Sequence, residues 1–369
     1  MKKLTALILV ISLCLLCGCG GSQPAETQAP ATQAPATQAP ATQAPATEAP
    51  TEAPTEAPTE PPVGPTHPLT GEPVGEPFTN RIVAVSICNL EEAIPHKGVT
   101  QADMYFEMFV NHSIIRGLAL YTDIASVDSI GAIRSTRPVF TDISGMYDAF
   151  IAHAGGSTQT LVDQSNSGID NMNVDTNDAC DYSYRDKERA KDIAWENCLF
   201  AKGEGLMKTI EEKGFRTTQE PGKSYGLHFA EDGTPADGED ASTVTIRFHY
   251  KSAFKDTVMV YDADLGRYVY NQYGKEMRDA ETQELETFEN VIMIFAADRL
   301  DEIGYHIYDF LAGGDGYFAC GGKLIPIKWS CAGEDQPLTF QTLDGEPLEL
   351  GVGTTYVGLA DLKSQIAWE

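Results

Sequence analysis

The stretch SIGAIRSTRPVFTDISGMYDAFIAHAGGSTQ, residues 129–159, indicates the fold most directly. Proline suits the first turn of a helix, and the pattern predicts a helix over Pro138–Met146. The apolar run DAFIAHA, residues 148–154, predicts a strand. A Gly-Gly-Ser step follows it directly, and a second helix is predicted over 157–164. A helix, a strand, a glycine turn and a further helix in succession indicate an α/β arrangement.

Strand-like runs surround this stretch and continue to the end of the chain. Aromatic and β-branched content predicts strands in RIVAVSIC (81–88), MYFEMFV (104–110) and RGLALYTD (116–123), and 204–213 is a predicted helix. After a polar stretch over 219–239, runs such as TVTIRFHY, TVMVYD and NVIMIFAAD alternate by twos between turn signals. The sequence therefore predicts an α+β protein. An N-terminal α/β-type domain with a mixed sheet over 66–218 is followed by a linker over 219–239 and a β-rich sandwich or meander domain over 240–369.

The first residues have the layout of a secretory signal. Two lysines precede the apolar run Leu4–Leu16, which is shorter than the about 20 residues that a membrane-spanning helix needs. The run ends near Cys19, in a pattern that resembles the lipobox of bacterial lipoproteins. Residues 1–18 are thus a predicted signal peptide, and a diacylated (palmitate-type) Cys19 is the predicted anchor to the outer face of the cytoplasmic membrane. An ordinary secreted protein with a cysteine-rich signal is the alternative.

A low-complexity segment separates this anchor from the folded part. TQAPA and then TEAP repeat within residues 19–65. Proline at every fourth or fifth position blocks helix and sheet and favours extended polyproline II structure. The segment is a predicted disordered tether that carries the domain into or beyond the cell wall.

Charge and cysteine content exclude several classes of function. A formal net charge of −28 makes nucleic acid and anionic lipid surfaces poor partners. The five cysteines outside the signal form no CxxC pair, so no zinc site is predicted; they are Cys88, Cys180, Cys198, Cys320 and Cys331. The pairing of Cys180 with Cys198 is the first to test. The acidic loop over 163–181 lacks the glycine and terminal glutamate of an EF-hand, and no metal or cofactor is predicted.

Three segments carry a resemblance to a known family. PLTGEPV, ADMYFEMFVNHSIIRGLALYTD and IGAIRSTRPVFTDISGMYDAFIAHAGGS together resemble the YerB-like family of bacterial lipoproteins. The resemblance implies a lipoprotein signal, an N-terminal domain of unknown function and a smaller β-rich C-terminal domain. It implies no reaction. The chain departs from the family near RDKERAKDIAWENCLF, where Glu196 stands in place of a histidine.

Two arginines precede the first predicted helix. Arg134, Ser135 and Arg137 lie on the loop just before Pro138. Arginine binds carboxylates and phosphates bidentately, so the loop is a candidate anion-binding element. Structural pairing of the two arginines is the alternative.

The glycine turn is a second candidate for anion binding. Gly155, Gly156 and Ser157 join a predicted strand to a predicted helix, where free N–H groups and the positive end of the helix dipole favour anions. The glycines allow a ligand to approach the backbone closely. Ser157 is interpreted as the N-cap of the helix rather than as a nucleophile.

Four further residues complete the candidate site. Arg116 and Arg185 are candidate ligand-binding residues, although a buried structural pair between Arg116 and Glu107 is the alternative for the first. His153, at the end of a strand beside the turn, is a candidate general acid or base. A histidine with all its hydrogen bonds made inside the core is the competing interpretation.

Two classes of function follow from these residues. The first is a lipoprotein that binds an anionic envelope component carrying phosphate or carboxylate. The second is an envelope hydrolase or transferase that acts on a phosphate- or pyrophosphate-linked wall precursor, with His153 as the catalytic group. A transporter's solute-binding subunit is a third option. The sequence has no recognisable pair of nucleophile and base, so binding ranks above catalysis.

Overall fold

Strands from the two halves of the sequence lie side by side in one mixed sheet. The computed structural model describes residues 64–175 and 182–369. The signal peptide, Cys19, nearly all of the tether, Cys180 and part of the acidic loop fall outside these ranges, so the predictions made for them stay predictions.

In the described ranges the secondary structure consists mainly of strands, with three α-helices between residues 138 and 212. The first half of the elements lies between residues 83 and 230, and the second half lies between residues 239 and 368. The elements of the first half are β1 (Val83–Cys88), β2 (Met104–Asn111), β3 (Ile114–Tyr121), β4 (Ile130–Gly131), α1 (Pro138–Met146), β5 (Phe150–His153), α2 (Thr158–Ser167), β6 (Asn171–Asn173), β7 (Ser183–Arg185), β8 (Leu199–Ala201), α3 (Gly203–Glu212) and β9 (His228–Ala230). Those of the second half are β10 (Glu239–Asp240), β11 (Thr243–Tyr250), β12 (Ala253–Asp262), β13 (Arg267–Gln272), β14 (Lys275–Glu276), β15 (Thr287–Phe288), β16 (Asn290–Ala296), β17 (Asp298–Leu300), β18 (His306–Tyr308), β19 (Gly314–Cys320), β20 (Lys323–Cys331), β21 (Leu338–Thr342), β22 (Glu349–Gly351), β23 (Thr355–Asp361) and β24 (Gln365–Trp368).

The large sheet contains eleven strands in the order β10, β20, β19, β16, β23, β2, β3, β1, β5, β6, with β21 beside β20. Strand β2 pairs in parallel with β23, and Met104 lies opposite Thr355. This pairing joins strands from the two halves of the sequence in one sheet, within one compact unit of the described residues. The sequence boundary over 219–239 stays a prediction.

A second sheet of six strands, β14, β13, β12, β11 and β24 with β15 beside β13, covers part of the first. The core between the two sheets is rich in aromatic side chains, among them Tyr105, Phe109, Phe248, Tyr270 and Tyr356. A second core lies on the other face of the large sheet, where α1 packs its apolar side. The predicted mixed sheet and β-rich C-terminal region are thus confirmed, and the two sheets form a sandwich.

The helices follow their sequence signals closely. Helix α1 has the predicted bounds and Pro138 in its first turn, and α2 ends at Gly168, whose φ of 77° is the left-handed conformation that favours glycine. In the described ranges, the helices are too short or too polar to span a bilayer.

Candidate functional site

The loop before α1 runs beside the end of β5. The amide of Ala154 donates to the carbonyl oxygen of Arg134 over 2.9 Å, and the amide of Thr136 donates to that of Gly155 over 2.9 Å. On its other side, the amide of Arg134 donates to the carbonyl oxygen of Ser86 in β1. The loop is therefore held between two strands of the sheet, and the candidate residues around 134–137 and 154–157 are neighbours.

Arg116 reaches this loop from β3. Its Nη1 donates to the carbonyl oxygen of Ser135 over 2.5 Å. Arg137 uses the same acceptor, with its Nη1 at 3.4 Å from that oxygen and at 2.7 Å from the carbonyl oxygen of Thr136. Two guanidiniums thus converge on the carbonyl group of Ser135, and Arg134 is the residue that precedes Ser135 in the chain. We call Arg116, Arg134 and Arg137 the arginine cluster.

Glu107 does not pair with Arg116, which corrects the structural pair considered from the sequence. In the register of β2 and β3, Arg116 lies opposite Met108 and Glu107 lies opposite Gly117. Successive side chains of a strand point to opposite faces, so Glu107 and Arg116 face different cores. The partner of Glu107 is Lys255 of β12.

The arginine cluster lacks an acidic partner. Within the described ranges, no carboxylate lies within ion-pair distance of these three guanidiniums. Arg116 is 3% exposed and Arg137 is 7% exposed. The Nε atoms of Arg134 and Arg137 are buried, and neither has a hydrogen-bond partner among the described residues. The arginine cluster therefore concentrates positive charge in a largely desolvated environment, without a neighbouring negative charge in the described ranges.

The electrostatics reflect this concentration of charge. Burial and the charges of Arg137 and Arg134 lower the pKa of Arg116 to about 9. Burial also lowers the pKa of Arg137, with a further contribution from the charge of Arg134. All three side chains remain cationic at neutral pH, since guanidinium stays protonated in proteins. An anion placed among them would relieve both desolvation and mutual repulsion.

Two further residues lie near the arginine cluster, and no pattern in the sequence indicates that they belong there. The ring centroid of Tyr305 lies 4.6 Å from the guanidinium carbon of Arg137, which is a cation–π contact. Tyr305 comes from the C-terminal half, between β17 and β18, and its backbone pairs with Asn111 at the end of β2. The hydroxyl oxygen of Thr136 is buried and has no partner among the described residues.

The glycine turn forms the start of α2. Ser157 is the N-cap, and its Oγ accepts from the amide of Thr160 over 3.1 Å, as expected. Gly155 has a φ of 70°, which favours glycine. Its amide donates to Oδ1 of Asn173 over 2.9 Å and is therefore occupied. A side chain at Gly156 would lie 3.1 Å from the Thr136 methyl group, so the turn touches the loop of the arginine cluster.

Both ring nitrogens of His153 are engaged by groups other than the arginine cluster. Its Nδ1 lies 2.9 Å from the carbonyl oxygen of Gly155 and its Nε2 lies 3.2 Å from Oδ1 of Asn171 in β6. The side chain is fully buried, and burial lowers its pKa despite these two hydrogen bonds. This environment matches the alternative of a core histidine with its hydrogen bonds made, and among the described residues neither ring nitrogen is bonded to an arginine.

Arg185 also lies in a different environment. It forms an ion pair of 2.5 Å with Asp175, donates to the carbonyl oxygen of Trp195 over 2.7 Å and stacks on the Trp195 ring. Its guanidinium is thereby committed to local structure. Four cysteines, Cys88, Cys198, Cys320 and Cys331, are buried free thiols.

Comparison with known proteins gives the family. Residues 69–216 match the N-terminal domain, and residues 244–357 the C-terminal domain, of a family described as "Protein of unknown function (DUF3048)". The chain belongs to this family. The two matched segments flank the predicted boundary, while the shared sheet joins them in space.

One relative of this DUF3048 family member has both a sequence and a structural match. "Putative lipoprotein YerB" of Bacillus subtilis (strain 168) is 24% identical over 295 residues, which is 79% of this chain and 85% of the relative. The crystal structure of the YerB protein from Bacillus subtilis superposes with a TM-score of 0.70 at 23% identity, over 82% of this chain and 99% of that chain. The resemblance read from the sequence is confirmed, and the structural likeness establishes the shared fold.

Proposed function

We propose that this chain is a membrane-anchored extracytoplasmic lipoprotein that binds an anionic cell-envelope component through its arginine cluster. The observation that carries the proposal is the absence, within the described ranges, of any carboxylate paired with Arg116, Arg134 or Arg137, two of which are more than nine-tenths buried. In a chain of net charge −28, acidic residues are abundant, yet none of those in the described ranges pairs with these three side chains. The bound anion takes the place of the missing carboxylate.

The energetics favour a tightly held anion. A buried charge without a partner is costly, and that cost is already borne by the folded protein before the ligand arrives. Each charge-assisted hydrogen bond to an anion contributes about 1.5–3 kcal/mol. The cluster also has solvent access, because Arg134, Ser135 and the turn over 154–157 are only partly buried.

The anchoring part of the proposal rests on separate support. The relative that covers most of this chain carries the name lipoprotein, and Cys19 follows an apolar run of signal-peptide length. The acyl chains on Cys19 hold the protein at the outer face of the cytoplasmic membrane, and the tether over 19–65 carries the folded part toward the wall. Fractionation of cells that express Cys19→Ala tests this: the variant is released or left unprocessed, whereas normal membrane retention contradicts the anchor.

The hydrolase or transferase alternative has no observation in its favour. It assigned catalysis to His153, whose ring nitrogens are engaged with Gly155 and Asn171. Binding therefore stands as the proposed function.

Isothermal titration calorimetry with inorganic phosphate tests the binding proposal. We expect phosphate to bind the wild type and Arg137→Ala to weaken this binding about tenfold or more, since it removes at least one charge-assisted hydrogen bond. Arg247→Ala is the matched control, because Arg247 pairs with Asp256 on an exposed part of the second sheet and should leave the affinity unchanged. If phosphate binds neither protein and Arg137→Ala only lowers the melting temperature, the arginines are structural.

A further inference from the structure

The donors of the arginine cluster exceed what a carboxylate can use. Each guanidinium has five N–H donors in a planar fork. Arg116 and Arg137 spend Nη1 on backbone carbonyl oxygens, and the Arg134 guanidinium makes no hydrogen bond to another described residue. A carboxylate offers two oxygens, whereas a terminal phosphoryl group offers three strong acceptors.

The charge of the cluster points the same way. Three cations around one loop leave a net charge of about +2 if a carboxylate binds, and about +1 if a doubly charged phosphoryl group binds. Because the nearby described residues supply no negative charge to the cluster, the second charge of the ligand has no competitor. Repulsion among Arg116, Arg134 and Arg137 is relieved further with each negative charge added.

Neutral donors complete the arrangement around the loop. The Thr136 hydroxyl is buried without a partner, and its methyl group lies against Gly156 at the start of α2. Helix N-termini favour phosphate through their free amides and dipole. Tyr305 covers one face of the Arg137 guanidinium, which leaves the edge of that guanidinium as its open donor side.

From this geometry we infer that the arginine cluster selects a phosphate monoester dianion, a terminal –OPO₃ group, over carboxylates and over singly charged phosphodiesters. The inference rests on the proposed function and narrows its ligand class. Arg134 is the residue that adds the third cation. It is the least committed of the three, because the folded protein uses only its backbone groups in hydrogen bonds.

Three probes separate charge from shape when titrated into the full-length protein. Methyl phosphate carries two charges above its second pKa of about 6, dimethyl phosphate keeps the tetrahedral shape with one charge, and acetate has one charge and two oxygens. At pH 8 we expect methyl phosphate to bind at least tenfold more tightly than the other two. At pH 5, where the monoester holds its second proton, the advantage over dimethyl phosphate should disappear.

Arg134→Gln gives the residue-level test, and this half-buried side chain can change with little risk to folding. We expect it to reduce the preference for methyl phosphate over dimethyl phosphate several-fold, while a matched exposed change, Arg278→Gln, leaves the preference intact. Equal affinity of acetate or dimethyl phosphate at pH 8 overturns the dianion inference and leaves anion binding standing. Failure of all three probes to bind overturns both.

A vesicle flotation assay distinguishes a soluble phosphate monoester from one carried by a lipid. Vesicles of phosphatidylcholine with and without phosphatidic acid, whose headgroup is a phosphate monoester, are mixed with protein that lacks the acyl chains. Flotation that requires phosphatidic acid and is blocked by methyl phosphate supports the dianion inference with a lipid source. Binding of methyl phosphate without flotation supports it with a soluble or wall-linked source.

Discussion

Two groups of charged side chains are buried on opposite faces of the same strand pair, β2 and β3. On the face toward the second sheet, Glu107 pairs with Lys255 and accepts from Thr257, Asn89 and Tyr356. On the other face, Arg116 meets two further arginines and backbone carbonyl groups. The first group is closed, since each charge has its counter-charge. The second is open, because no described carboxylate balances its positive charge. This difference indicates that an external anion would bind at the arginine cluster.

The closed group should show the largest effect of a single substitution. Lys255→Met leaves Glu107 buried without its cation, and breaking a buried pair in this way costs about 3–5 kcal/mol of the free energy of unfolding. Lys255 is 8% exposed, so water cannot compensate. Equilibrium unfolding in urea measures the loss.

The control for this variant is an exposed pair. Lys323→Met breaks the contact with Asp240, which is largely solvent-exposed, and should change stability far less than Lys255→Met does, because water screens an exposed pair. Equal losses for the two variants would mean that the Glu107 network is not the closed group described above.

The open group should respond more weakly to the same kind of change. Arg116→Met removes one hydrogen bond to the Ser135 carbonyl oxygen but also relieves repulsion with Arg137 and Arg134, so we expect a loss below about 2 kcal/mol. Urea unfolding in a buffer without phosphate or sulfate measures it. A loss as large as that of Lys255→Met would show that the cluster has a counter-charge inside the fold.

Both groups were only partly predictable from sequence. The bounds of α1 followed from Pro138 and the apolar pattern, because helix signals are local. The partner of Glu107 could not be read in the same way, since Lys255 approaches through the packing of two sheets. Tyr305 reaches Arg137 because its backbone pairs with Asn111 at the end of β2. Pairing between segments so distant in sequence leaves no mark in a local pattern. The face of the sheet on which Arg116 lies depends on the strand register. A shift of that register by one residue would move Arg116 to the opposite face.

A partly buried carboxylate shows the opposite situation to the arginine cluster, with negative charge gathered in place of positive charge. Asp142 lies in a cleft of about 410 Å³ with Glu334 and Asp335 and without a basic residue among the lining side chains. Burial and the charge of Glu334 raise the pKa of Asp142 to about 7. The folded state therefore holds this proton more firmly than the unfolded chain does, and stability falls as pH rises from about 4 to above 7.

Asp142→Asn removes the charge and should raise the free energy of unfolding by about 1 kcal/mol at pH 8. The gain should vanish near pH 4, where Asp142 is protonated in the folded state and increasingly in the unfolded one. Urea unfolding of both proteins at the two pH values measures the difference. A gain that is the same at both values would mean that ionisation of Asp142 does not oppose folding.

Substitution of His153 should have the smallest effect on ligand binding. This variant tests whether the open group includes His153. His153 lies beside Gly155 in the chain, yet its ring is turned to Asn171, and no arginine is among the groups that shift its pKa. His153→Gln should therefore change the affinity for phosphate less than twofold, while it destabilises the fold by about 1–2 kcal/mol through lost hydrogen bonds in the core.

The pKa of His153 is lowered by burial, so its contribution to stability is present above about pH 6.5 and is lost as the pH falls. The stability difference between wild type and variant should accordingly narrow from pH 8 to pH 5. A tenfold loss of phosphate affinity without loss of stability would instead extend the open group to His153 and return it to the ligand site.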